Sequence, residues 1–228
     1  QTRARGHTSH ASALNHELQS SNRTSVPLRW RKRYHPTHGF LKRSYPDHTG
    51  QQLDFAIDAL WEEREHFQVI HPRHEQATTY MADGYARTTG RVGTSLVVPG
   101  PGLLNAAAGL STAYACSSPV LCVTGQIASD QIGKGFGALH EINNQLEMIS
   151  SVTKSAERAM RPEEIPGMVR RAFQALGTGR PRPGGIEVPP DVLELVADVT
   201  LLEPEDWDRS VDSPGDPDLL RQAAEVLG

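Results

Sequence analysis

The sequence predicts an α/β domain in which a mainly parallel β-sheet is covered by helices on both faces. The first observation is that strand-like and helix-like segments alternate about four times between residues 51 and 200, a pattern that requires crossover connections. The second is that the strand-like segments are short, apolar and rich in β-branched residues, as in strands buried on both faces. The third is that Gly and Pro stand at the joints between segments.

Local patterns predict the individual elements in order. Residues 51–65 place Leu53, Ile57 and Leu60 on one face of a helix, because apolar residues recur there at helical spacing. Residues 75–90 form a predicted helix that is rich in small residues and stopped by Gly90. The predicted strands cover 67–71, 92–100, 119–125 and 184–192. The other predicted helices cover 103–118, 141–150 and 161–179.

Residues 1–45 are predicted to be a basic leader without a packed structure. Residues 1–50 hold nine of the 23 Lys and Arg residues but two of the 27 Asp and Glu residues. This composition is typical of an organelle transit segment, of a basic arm for nucleic acid, and equally of a leader without function. The apolar residues of the leader show no sustained period, so we expect disorder. The expected compartment is the cytoplasm, with organelle import as the alternative, and nucleic acid is not an expected partner.

The domain itself is predicted to cover residues 46–200. Residues 201–228 then read as an acidic linker followed by the start of a truncated central domain, because an amphipathic helix begins at Pro217. No apolar run approaches the roughly 18 residues that a membrane span needs, so a membrane partner is not expected. Cys116 and Cys122 lie in apolar segments and match no metal or redox spacing.

Candidate ligand-binding residues follow the ends of the predicted strands. Ligands of parallel sheets bind beyond the carboxyl ends of the strands, where this chain has Glu75, the turn "PGPG" at 99–102 and "TGQI" at 124–127. A zinc site at His71, His74 and Glu75 is not expected, because the zinc-protease pattern needs two histidines four residues apart on one helix. We predict no metal site. On composition alone, Glu75 is explained as a carboxylate favoured by the helix dipole.

Residues 73–127 resemble the amino-terminal, pyrimidine-binding domain of thiamin-diphosphate enzymes of the acetolactate synthase-like group. The likeness rests on "RHEQ" followed by "MADGYAR", and on "PGPG" followed by Asn105. It continues through 152–154 and 179–192 and covers roughly residues 51–200. The resemblance implies thiamin diphosphate as the cofactor and a 2-oxo acid as the substrate. The implied activity is that of a lyase or transferase, by decarboxylation with or without carboligation.

The resemblance also assigns roles to cofactor-binding residues. Glu75 matches the glutamate that hydrogen-bonds N1′ of the cofactor's aminopyrimidine. A carboxyl group kept away from water can share a proton with N1′, which helps to activate C2 of the thiazolium ring. Pro99, Gly100, Asn105 and Gln126 are the other expected cofactor contacts.

Three further residues are candidates near the substrate or a flavin. His140 stands where acetolactate synthases have the glutamine of "DAFQE", and it is either a proton shuttle or a histidine that packs at a loop edge. His48 is a weaker candidate of the same kind. Arg180 matches an arginine that contacts FAD in the flavin-containing members, which makes FAD a further candidate cofactor. Pro190 departs from the family, because acetolactate synthases have a lysine there.

The resemblance implies that the chain lacks parts that a complete enzyme of this family has. The family's first strand is not recognisable in residues 1–45, so the sheet is expected to lack one strand. The magnesium–diphosphate motif, a G-D-G followed by an Asn, is absent from the sequence, and Mg²⁺ is therefore expected to bind through a missing domain. We expect a homo-oligomer, or a complex with a full-length homologue, formed by the helices around 75–90 and 102–117. The alternative is a non-catalytic remnant or interaction module that dimerises with such a homologue.

Overall fold

The computed structural model describes residues 27–28, 52–65, 68–200 and 215–227. The strands in these ranges are β1 (Pro27–Leu28), β2 (Gly93–Val97), β3 (Val120–Gly125), β4 (Ser155–Arg158), β5 (Gly184–Val188) and β6 (Ala197–Asp198). The helices are α1 (Asp54–Glu62), α2 (Glu75–Thr89), α3 (Pro101–Ala115), α4 (Gln145–Ser151), α5 (Ile165–Gly177), α6 (Pro190–Glu194) and α7 (Pro217–Leu227), and a 3₁₀ turn over Pro162–Glu164 precedes α5.

The main sheet has four parallel strands in the order β2-β3-β5-β4. The two central strands, β3 and β5, are almost completely buried, whereas every residue of β4 is half-buried. A separate antiparallel pair joins β1 to β6. The predicted fold class, an α/β domain with a parallel sheet covered by helices, is confirmed.

Helices cover both faces of this sheet. One core cluster joins the side chains of Val120 and Cys122 in β3 to residues of α2, α3 and α4. A second cluster joins Leu121 and Ile186 to residues of α5 and α6, with Phe55 of α1 packed against it. Because successive side chains of a strand point to opposite faces, these two clusters lie on opposite sides of the sheet.

Helices α2 and α3 pack against each other more closely than ordinary side chains allow. The Thr79 hydroxyl donates a hydrogen bond of 2.9 Å to the carbonyl oxygen of Ala106. A Cβ atom added to Gly109 would lie 2.2 Å from the Thr79 Oγ1 atom. The small residues of α3 therefore serve the packing of these two helices.

Two local predictions were wrong, and three strands, β1, β4 and β6, were missed. The segment predicted as a strand at 67–71 has no strand over its described residues 68–71, where Val69 and Ile70 are 53% and 60% exposed. The predicted strand at 184–192 ends at Val188, because the consecutive prolines 189 and 190 begin α6. Strand β4, with the sequence SAER, lies at the edge of the sheet and has no apolar run that would reveal it.

The helix predicted near the carboxyl end is present as α7, with Leu219, Leu220, Val226 and Leu227 exposed. No helix within the described ranges is both long and apolar enough to cross a membrane.

The two cysteine thiols should differ strongly in reactivity. Cys116 is exposed and Cys122 is buried, and burial raises the pKa of the Cys122 thiol from 9.0 to about 11. The thiolate is the reactive form, so at pH 8 a disulfide reagent should modify Cys116 and spare Cys122 until urea unfolds the chain. Because folding raises this pKa, the contribution of the protonated Cys122 thiol to the free energy of unfolding is fully present below pH 9. This contribution is lost as the pH rises through 11.

The measurement is thiol titration with and without urea, with Cys116→Ser as the control that removes the fast phase. Equal modification rates of both thiols in the folded chain would contradict the buried position of Cys122.

Candidate functional site

The candidate site lies where α2 and α3 begin, at the carboxyl ends of the strands. Glu75 is the first residue of α2, and Asn105 is in the first turns of α3. The Asn105 side-chain amide donates a hydrogen bond of 3.1 Å to Oε2 of Glu75. Glu75 is half-buried and Asn105 is exposed. Two residues that are 30 positions apart in sequence thus meet at one edge of the sheet.

The histidine before Glu75 has a structural role. His74 is the N-cap of α2, and its Nδ1 atom accepts a hydrogen bond of 3.2 Å from the backbone N–H of Gln76. The Thr78 hydroxyl donates to the carbonyl oxygen of Glu75. The bond to His74 satisfies a backbone N–H that a helix leaves unpaired at its start. Throughout the described part of the chain, no three His, Cys, Asp or Glu side chains converge as metal ligands would.

The turn over residues 99–102 packs tightly between Glu75 and His140. Pro99 is fully buried, and Gly100 has a φ of +56° that side chains rarely adopt. A Cβ atom at Gly100 would lie 2.2 Å from the carbonyl oxygen of His140, and one at Gly102 would lie 3.5 Å from Cγ of Glu75. The glycines therefore let the backbone of this turn lie directly against both neighbours.

His140 lies on the other side of this turn from Glu75. Its φ is +71°, and its Nδ1 atom is 3.3 Å from Oε1 of Gln52. The Gln52 amide also donates to the carbonyl oxygen of Leu139. Beside these residues is a cavity of about 250 Å³, lined by Gln52, Ile127, Ala128, Gln131, Ala138, Leu139 and Pro190. Apolar and amide groups line this cavity, and no charged side chain of the described residues is among its lining.

Gln126 points into the protein interior. Its Oε1 atom accepts a hydrogen bond of 2.7 Å from the N–H of Ile127, and its Nε2 atom donates to Glu187 over 3.2 Å. Both ends of this amide are therefore engaged within the chain. Glu187 is fully buried, and the sequence analysis missed it. The available signal was an acid inside the otherwise apolar strand segment GGIEV.

Arg180, another candidate, is not brought to the Glu75 edge. The Arg180 Nε atom donates to the Ser117 hydroxyl over 2.7 Å. Ser117 follows α3 and precedes β3, so this contact lies at the amino ends of the strands, opposite Glu75. His48 lies outside the described residues.

The groups at the Glu75 edge suit a flat heterocycle that both donates and accepts hydrogen bonds. The Glu75 carboxylate can accept from one ring substituent or share a proton with a ring nitrogen, and Asn105 holds its other oxygen. The glycine turn over residues 99–102 packs beside this pair, with Gly102 next to Cγ of Glu75. An aminopyrimidine presents this combination of groups, so the residues fit the cofactor that the resemblance implies.

Substitution of Gly100 should destabilise the chain more than substitution of Gly133, another glycine with a positive φ. Gly133 has a φ of +77° and no atoms within 4 Å of an added Cβ, so Gly133→Ala should cost only the left-handed strain of about 1 kcal/mol. Gly100→Ala should cost roughly 1–3 kcal/mol more, because the new methyl group overlaps the carbonyl oxygen of His140. Urea unfolding followed by circular dichroism measures both. Equal losses would show that His140 does not press on the turn.

Comparisons with known proteins agree with this arrangement. Residues 48–148 match the family model described as "Thiamine pyrophosphate enzyme, N-terminal TPP binding domain". A probable 2-ketoarginine decarboxylase of Pseudomonas aeruginosa is 42% identical over 121 residues, which are 53% of this chain and 22% of that protein. A probable acetolactate synthase large subunit of Methanocaldococcus jannaschii is 40% identical over 152 residues, or 66% of this chain and 24% of that protein.

The Escherichia coli acetolactate synthase isozyme 3 large subunit is 38% identical over 133 residues, which are 58% of this chain and 23% of that protein. The matched part of the chain thus spans about a quarter of the length of these relatives. The family resemblance predicted from the sequence is confirmed. This region of the chain is an N-terminal domain of the thiamine pyrophosphate enzyme family, of the acetolactate synthase-like kind.

Proposed function

We propose that this domain binds the aminopyrimidine of thiamin diphosphate through Glu75 and serves an enzyme that acts on 2-oxo acids by decarboxylation or carboligation. The observation that carries the proposal is the contact of 3.1 Å between Glu75 and Asn105 beside the glycine turn. The relatives support the substrate class, because their names include acetolactate synthases and a probable 2-ketoarginine decarboxylase.

Each residue at this edge has a distinct part in the proposal. Glu75 exchanges a proton with the ring nitrogen N1′, and Asn105 keeps its carboxylate facing the ligand. The turn over residues 99–102, which packs against Glu75, forms one side of the surface that binds the ring. Bound thiamin diphosphate would supply the electron sink that makes the loss of carbon dioxide from a 2-oxo acid feasible.

The exposure of Asn105 and the partial burial of Glu75 imply that another protein surface completes this site. A carboxyl group relays a proton best where water is excluded, because hydrogen bonds are stronger in a low dielectric. We infer that the diphosphate and its Mg²⁺ are held by a diphosphate-binding domain outside the described residues. Such a domain on a partner subunit would cover Glu75. The opposite position of Arg180 gives FAD no support at the Glu75 edge.

The cavity beside Gln52 and His140 is the proposed place for the substrate side chain. Its lining of apolar groups and two glutamines suits a side chain without a charge. His140 is linked to this cavity through Gln52, so it could exchange a proton with a substrate bound there.

The exposed faces of α2 and α3 support an oligomer, whether the chain serves an enzyme or is a non-catalytic interaction module. Tyr80, Met81, Tyr85 and Leu104 are between 42% and 49% exposed, and all lie on these two helices. Aromatic residues and Met are enriched in protein interfaces. We therefore propose that this surface joins two copies of the chain, or this chain and a longer homologue. This observation also favours the second candidate function, a non-catalytic interaction module.

Substitution of Glu75 should separate cofactor binding from proton transfer. In the holoprotein assembled with a diphosphate-binding domain, Glu75→Gln should keep the cofactor affinity within a few-fold, because the amide still hydrogen-bonds. Deuterium exchange at C2 of the bound cofactor should slow by about 10²–10⁴-fold, because the relay has lost its proton. Proton NMR measures this exchange.

The matched control is Glu163→Gln, which changes another acid, this one exposed, at the start of a helical segment on the opposite face of the sheet. It should leave C2 exchange unchanged. If Glu75→Gln also leaves it unchanged, Glu75 acts only as a helix-start carboxylate and the proposed mechanism is wrong.

Introducing a charge on the proposed interface should weaken self-association. Tyr85→Asp should raise the dimer dissociation constant at least about fivefold, since tyrosine is enriched among interface residues whose loss costs more than about 1 kcal/mol. Trp61→Asp is the control, because Trp61 is similarly exposed, at 41%, but belongs to α1 on the other face. Sedimentation equilibrium measures both. Equal effects of the two variants would place the interface elsewhere.

A further inference from the structure

The most unusual buried group outside the proposed cofactor contacts is the carboxylate of Glu187. It lies in the central strand β5 with no exposed surface. Arg158 stands directly opposite on β4, and the two side chains form an ion pair. A buried ion pair is seldom more stabilising than apolar residues of the same size. Its presence at the carboxyl edge of the sheet therefore needs another explanation.

The carboxylate fixes the orientation of two glutamine side chains. Oε1 of Glu187 accepts hydrogen bonds from Arg158 and from Gln126, and Oε2 accepts one of 3.0 Å from Gln145. An ionised carboxylate can only accept hydrogen bonds. Both glutamines must therefore turn their amide nitrogen toward Glu187 and their carbonyl oxygen away from it.

The carbonyl oxygens of these glutamines reach the backbone of two loops. Oε1 of Gln145 accepts a hydrogen bond of 2.7 Å from the N–H of Gly100. Oε1 of Gln126 accepts from Ile127, also over 2.7 Å. The Gln145 amide nitrogen donates in addition to the carbonyl oxygen of Gly125. The loops that follow β2 and β3 are thus joined to one buried charge.

We propose that Glu187 is a positioning residue that holds the Gly100 turn through Gln145. The turn leads directly into α3, whose Asn105 contacts Glu75. Loss of the Glu187 charge would therefore displace the surface on which the aminopyrimidine lies. The importance of this effect for catalysis rests on the proposed function, but the effect on the turn does not.

The charge of Glu187, and not merely its size, is what the geometry requires. Three donors point at its two oxygens. In Glu187→Gln one of those oxygens becomes an NH₂ group, so at least one donor then faces another donor. Because Arg158 can only donate, the remaining oxygen faces Arg158 and Gln126, and the new NH₂ group faces Gln145. Gln145 avoids this conflict by turning its amide, which places the Gln145 NH₂ group against the N–H of Gly100. The Gly100 N–H then lacks an acceptor.

Amide hydrogen exchange of the 228-residue chain without cofactor, followed by NMR, tests the proposal. Glu187→Gln should accelerate exchange at Gly100 roughly tenfold relative to the wild type, because a buried N–H loses its hydrogen bond. The reference amide is Gly93 at the other end of β2, whose N–H donates to Pro119 over 3.1 Å. Its exchange should change much less than that of Gly100.

Two other variants complete the test. Glu157→Gln removes the partner of Arg171 from the same strand as Arg158, and it should leave Gly100 unchanged. Gln145→Met keeps the pair of Glu187 and Arg158 but removes the acceptor of Gly100, and it should reproduce the acceleration even if Glu187→Gln does not fold. Unchanged exchange at Gly100, or equal acceleration at Gly100 and Gly93, would overturn the proposal.

A cofactor titration separates this result from the proposed function. With Mg²⁺ and the diphosphate-binding domain present, Glu187→Gln should bind thiamin diphosphate at least several-fold more weakly than Glu157→Gln does. If the wild-type protein does not bind the cofactor, the proposed function is wrong. The exchange at Gly100 would still decide whether Glu187 holds the turn.

Discussion

The close crossing of α2 and α3 is the constraint on which the candidate site depends. Glu75 and Asn105 lie near the starts of these two helices, so the distance between them follows from how the helices pack. That packing is possible because position 109 has no side chain and Thr79 bonds directly to the backbone of α3. A bulkier residue at position 109 would force the helices apart. The carboxylate and the amide would then no longer meet.

Much of the fold could be predicted because its signals are local. The helix that begins at Glu75 has a cap, small residues and a terminal Gly90, and the central strand β3 begins as a run of apolar residues. The position of the 99–102 turn follows from a general rule for parallel sheets, whereas Glu75 reaches the same edge without the strand predicted before it. Strand β4 and the bonds of Glu187 could not be predicted, because they depend on strand order. Which residue stands opposite Glu187 is decided by a pairing that no local pattern contains.

Two departures from the acetolactate synthase pattern lie at one place. Pro190 begins α6 and lines the cavity, and His140 is joined to the same cavity through Gln52. The lysine expected at position 190 would have brought a positive charge to this lining. The Glu75 edge, by contrast, keeps the residues of the family motif. Under the proposed function, these differences would bear on which molecule reacts more than on how the cofactor's ring is held.

The exposed residues of α2 and α3 lie on the same helices that carry Glu75 and Asn105 at their starts. A second subunit bound there would approach the ligand edge as well, so that association and ligand binding become thermodynamically linked. Linkage is reciprocal: a ligand that contacts both subunits strengthens their association by the same factor by which association raises ligand affinity. The fraction of paired chains would then follow the ligand supply at a constant protein concentration.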